Sequence, residues 1–86
     1  MLKGRKPSGP IKAVQNQKHG SVLLTLAGQI SARRQEKGFT QAQLAREVGL
    51  GQHAIFRIER GLVDPKLSCL FKVAEALGTT PAQLLT

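Results

Sequence analysis

Tryptophan and tyrosine are absent from this 86-residue chain, and Phe39, Phe56 and Phe71 are its only aromatics. Stacking single-stranded bases on successive aromatic rings is therefore poorly equipped. One cysteine, Cys69, allows no internal disulfide and no metal-ligand spacing, which fits a reducing cytoplasm. The two histidines, His19 and His53, make no zinc set with it, so no metal is expected. No nucleophile, base and orienter stand at a known spacing, and no glycine-rich phosphate loop appears. An enzyme is not expected, nor a cofactor. No apolar run approaches the ~18 residues of a membrane span, and no signal-peptide core is visible. No stretch alternates as a strand.

Acid is scarce as well: 5 Asp+Glu face 13 Lys+Arg, a net charge of +8. So basic a chain points to a polyanion, either nucleic acid or an acidic membrane face. The charge is uneven. Residues 1–24 hold Lys3, Arg5, Lys6, Lys12 and Lys18 with no acid, leaving eight bases against five acids in the remainder. The length allows one small domain with a thin stability margin.

Residues 1–20 carry Pro7, Pro10 and three glycines with no helical period, and read as a flexible basic arm. Such an arm either lies along DNA phosphates or in a minor groove, or is a solubilising tail. The folded domain is expected over residues 21–86. Leu23, Leu26, Ala27, Ile30 and Arg34 recur at helical spacing and predict a first helix, with Ser21 or Thr25 as its N-cap. Gly38, Gly49, Gly61 and Gly78 each follow an apolar-periodic segment, so they delimit four helices, and Pro81–Leu85 makes a fifth. Thr40 and Gln43 form a capping box, and the same T-x-x-Q pattern recurs at Thr80, with Pro81 in the favoured first helical position. The fourth helix, about Lys66 to Leu77, is expected to bury Leu67, Leu70, Phe71, Ala74 and Leu77. The fold expected is all-α, five short helices around one core.

The organising stretch runs from Thr40 to Gly61. Gln41–Val48 reads as one helix, Gly49-Leu50-Gly51 as the bend and Gln52–Arg60 as a second helix. Leu44, Val48, Leu50, Ile55 and Ile58 fall where two crossed helices bury one another, and the rest is polar or basic. This is the pattern of a DNA-binding helix-turn-helix, whose second helix enters a major groove. Gln52 and His53 at its start, and Arg57 one turn later, are the candidate base readers. Gln bonds adenine through two contacts, Arg bonds guanine likewise, and His donates to guanine N7 or O6. Thr40 and Gln41 at the start of the second helix, Arg60 at the end of the third and Lys66 after the loop are the candidate phosphate contacts. Phe56 lies one position past Ile55, off the buried stripe. Packing on a neighbouring segment is preferred for it over contact with a thymine methyl.

Residues 26–85 resemble the lambda-repressor-like helix-turn-helix family of the Cro and Xre type. The likeness rests on Q-x-x-L-A-x-x-x-G-L-x-x-x-x-I-x-x-I-E-R-G from Gln41 to Gly61, and on F-K-V-A-E-A-L-G-T-T-P-A-Q-L-L from Phe71. It implies a five-helix domain that binds double-stranded DNA as a homodimer on a palindromic operator, in a bacterial or phage-type, cytoplasmic, nucleoid-associated setting. Members are repressors, occasional activators, or antitoxins whose further partner is a toxin protein. The resemblance puts Gln41 on a phosphate and Gln52, His53 and Arg57 on bases, and pairs Arg34 with Glu59. Gly51 departs from the pattern, which has Ser or Thr there, and the basic arm lies outside it. For the dimer, Leu84 and Leu85 are the family-like surface and Val22-Leu23-Leu24 the competitor.

Overall fold

The computed structural model describes the backbone of residues 9–86, with side chains from residue 20 onward. Five helices follow in order: α1 (Gly9–Glu36), α2 (Gln41–Val48), α3 (Gln52–Glu59), α4 (Leu67–Ala76) and α5 (Pro81–Leu84). The first begins earlier than the Ser21 or Thr25 cap expected from sequence. Residues 9–20 of the expected arm are helical, and residues 1–8 lie outside the described residues. Pro10 stands in the first turn, where its missing N–H breaks no helical bond, and no further proline interrupts the chain before Glu36. The helix then runs through both Gly20 and Gly28, each costing about 1 kcal/mol against alanine.

The first four helices all stop in one way. After α2, the Leu50 amide donates back to the Ala45 carbonyl at 2.8 Å and the Gly49 amide to Arg46 at 3.3 Å. After α3, Leu62 donates to Arg57 at 2.9 Å and Gly61 to Ile58 at 3.1 Å. Phe39 to Arg34 and Thr79 to Ala74 repeat the pattern after α1 and α4. This reversal needs a left-handed residue, and Gly49 at φ 75° supplies it without the Cβ clash another residue would meet. Gly61 (φ 68°) has a second reason. A Cβ there would stand 3.1 Å from Leu24 Cδ2, because α1 passes directly over the turn.

These turns fold the helices around Leu26, Ile30, Leu44, Val48, Ile55, Ile58, Leu70, Val73, Leu77 and Leu84, all buried. Packing runs α2 on α3, α1 on α3, α2 on α4, and α5 on both α1 and α4. Ala45 and Ala74 are small enough at the crossings for the backbones to approach. Full burial of each Leu or Ile contributes about 1.5–3 kcal/mol.

Two expectations for the apolar surface change. Leu67 and Phe71 of α4 are exposed (65% and 54%), and Val73 is buried in their place. The sequence LSCLFKVAEA is apolar on more than one side, and contact with α2 and α5 selects the stripe Leu70, Val73, Ala74 and Leu77. Leu84, put forward for a dimer surface, lies fully inside the core, while Leu85, Val22 and Leu24 are exposed.

Candidate nucleic-acid interface

The start of α2 is prepared for an anion. The Thr40 hydroxyl oxygen accepts from the Gln43 amide at 3.0 Å, and the Gln43 side-chain oxygen accepts from the Thr40 amide at 2.8 Å. This reciprocal cap satisfies the third helical amide and leaves those of Gln41 and Ala42 at the positive end of the helix, facing outward. The Thr40 hydroxyl hydrogen is still free to donate. At α5 the corresponding cap is half made: Thr80 accepts from the Gln83 amide at 3.2 Å, but the Gln83 side chain turns to the Thr79 hydroxyl.

Helix α3 presents one face to the core and the other to solvent. Ile55 and Ile58 are buried, while Gln52, His53, Phe56, Arg57 and Arg60 are exposed. At about 100° per residue, Gln52, Phe56, Arg60, His53 and Arg57 spread in that order over an arc of about 140°. The structure thus brings Gln52, His53 and Arg57 to one outward face. Gly51 precedes them in extended backbone with no side-chain cap. Gln41, Gln52, His53 and Phe56 line a shallow cleft of about 260 Å³ between the starts of α2 and α3.

Cations frame that face. The Arg60 guanidinium lies 5.4 Å from the centre of the Phe56 ring, a cation–π contact between two exposed side chains. Lys66 is the residue just before α4 and borders, with Arg57, a separate groove between α3 and α4 that Cys69 also lines.

The one acid on α3, Glu59, falls beside Gln52 at the edge of this arc, but its carboxylate is covered and neutralised. Arg34 Nε donates to its Oε2 at 2.6 Å and a second guanidinium nitrogen donates to Oε1 at 3.1 Å. A third reaches the Phe39 carbonyl at 2.8 Å. Gln41 Nε2 donates to Glu59 Oε1 at 3.1 Å, a contact that sequence reasoning did not anticipate. Its only signal was the position of Gln41 at the start of a helix crossing α3. The side chains of Arg34 and Glu59 keep 13% and 4% of their exposure, so this is a nearly dry link between α1, α2 and α3. Removing one partner would strand a buried charge. The arrangement fixes the rotation of α3 about its axis, and with it the direction in which Gln52, His53 and Arg57 point.

Among the described residues, no three His, Cys, Asp or Glu side chains gather as a metal site, and no helix is long and apolar enough to cross a membrane.

Comparison with known proteins gives matches over this same region. The family described as helix-turn-helix matches residues 30–84. A relative from Sinorhizobium fredii, named an uncharacterized HTH-type transcriptional regulator, is 37% identical over 62 residues, covering 71% of this chain and 80% of its own. The immunity repressor protein of Bacillus phage phi105 is 42% identical over 55 residues, covering 64% of this chain but 38% of the phage protein. Among solved structures, the DNA-binding domain of the P22 c2 repressor superposes with a TM-score of 0.67 at 33% identity, covering 70% of this chain and 79% of that one.

Proposed function

The chain belongs to the helix-turn-helix family, and we propose that it is a sequence-specific transcriptional repressor that binds a palindromic operator as a homodimer. One observation carries the reading. Gln52, His53 and Arg57 stand exposed on a single arc of α3, a helix locked against α1 and α2 through Glu59. A major groove about 12 Å wide admits one helix, and side chains near its start then reach base edges. Gln52 would read adenine, Arg57 guanine, and His53 a purine acceptor.

The phosphate contacts set register without selecting sequence. The Thr40 hydroxyl and the first amides of α2 are neutral donors near the Gln52 edge of the face, Lys66 brings charge near its Arg57 edge, and Arg60 brings charge at the end of α3. Gln41 divides its capacity: its side-chain nitrogen bonds Glu59, and its backbone amide is the donor offered to phosphate. The basic residues before Ser21 extend the same electrostatic footprint along the duplex.

The names carried by the phage relative and the P22 neighbour support repressor over antitoxin. Dimerisation is supported by exposed apolar side chains where α1 passes over the turn after α3: Leu24 lies against Gly61, next to exposed Leu62. The test is selection of bound sites from random duplex DNA by the full chain. Two inverted half-sites with centres about 10 base pairs apart are expected. Recovery of unenriched DNA would overturn the reading.

A further inference from the structure

We propose that Phe56 is a specificity-determining residue that reads the C5-methyl group of a thymine; the inference rests on the DNA-binding reading above. Phe56 is 40% exposed. It does not belong to the buried stripe of α3, since Ile55 and Ile58 fill that role from the opposite side. It falls inside the base-reading arc instead, between Gln52 and His53, and it lines the cleft those two share with Gln41.

Every other exposed side chain on that arc is polar or charged, so the face presents one apolar element among hydrogen-bonding groups. A major groove offers one apolar feature among its donors and acceptors, the thymine methyl. In the free protein the ring leaves apolar area in water, and a methyl placed against it removes that area. The Arg60 guanidinium lies 5.4 Å from the ring centre, a weak cation–π contact at an exposed site that favours this ring position before DNA arrives. Phe56 follows Gln52 by four residues, about 6 Å along the helix, so the thymine lies within about two base steps of the adenine that Gln52 reads.

The experiment uses the half-site recovered from random DNA and replaces each thymine in turn by deoxyuridine, which removes the methyl and nothing else. Affinity is measured for the full wild-type chain and for Phe56→Ala. At one position per half-site, within two steps of the adenine, the methyl's loss is expected to weaken wild type about fourfold, the worth of one buried methyl. Phe56→Ala is expected to bind both DNAs equally. Its folded state is checked by thermal unfolding, and Phe56→Leu, which keeps an apolar surface, is expected to retain part of the discrimination. A selected site at which deoxyuridine weakens both proteins alike, or neither, overturns the role of Phe56 and leaves the DNA reading standing. Failure to select any site overturns both.

Discussion

Arg34 and Glu59, 25 residues apart in sequence, meet through two hydrogen bonds of 2.6 and 3.1 Å in a nearly water-free position between α1 and α3. Glu59 also accepts from Gln41 of α2, so three helices are tied at one carboxylate. Arg34→Ala leaves that carboxylate buried with one neutral partner and is expected to destabilise the fold by about 3 kcal/mol. Glu59→Ala strands the guanidinium in turn. The double variant is expected to lose at least about 1 kcal/mol less than the sum of the two, measured by denaturant unfolding. Additive losses would mean that the two side chains do not act as a pair.

Two glycines are expected to answer an alanine substitution with opposite signs. Gly49 has open space around its missing Cβ, but its φ of 75° is left-handed, so Gly49→Ala should cost about 1–2 kcal/mol through the backbone alone. Gly28 lies inside α1, exposed and also with open space, and Gly28→Ala should stabilise by about 1 kcal/mol. Thermal unfolding of the two variants against wild type checks both signs.

Much of this was legible in the residues because helix ends are local chemistry. The glycines at 38, 49, 61 and 78 marked the four ends, and Thr40 with Gln43 marked one beginning, from types and spacings alone. The α4 face was less legible, since its sequence fits two apolar stripes and contact with α2 and α5 decides between them. That is why Leu67 and Phe71 are outside and Val73 inside. The start of α1 was hidden by the weak apolar period of residues 9–20 and by two interior glycines. At the interface, the exposure of Gln52, His53 and Arg57 followed from their offset from Ile55 and Ile58. The Gln41 bond to Glu59 depends on the crossing of α2 over α3, which no single segment encodes.

The phosphate contacts divide by charge. Arg60→Ala and Lys66→Ala are each expected to reduce the slope of log K against log[salt] by about 1. Lys66→Ala should weaken binding evenly across DNA sequences, while Arg60→Ala should also relax the thymine preference, because its guanidinium lies against Phe56. Thr40→Ala should weaken binding with the slope unchanged, because a neutral donor displaces no counterion, and should also cost about 1 kcal/mol of stability through the lost cap. Titrations at several salt concentrations separate the two behaviours.

Removing residues 1–20 takes away five cations and leaves in place the core cluster described from Leu26 to Leu84. The shortened chain is expected to keep its cooperative unfolding and its sequence preference while its salt slope flattens. An unaltered slope would mean that this segment touches no phosphate.

The central claim is that side chains of α3 read base edges, and Arg57 tests it most directly because it is exposed and supports no core packing. Bound sites are selected from random DNA with wild type and with Arg57→Ala, and the two preference profiles are compared position by position. We predict that a guanine preference relaxes at one position in each half-site, by about 1–3 kcal/mol of discrimination, with the other positions unchanged. A profile identical to that of wild type, or one weakened evenly at every position, would contradict the account.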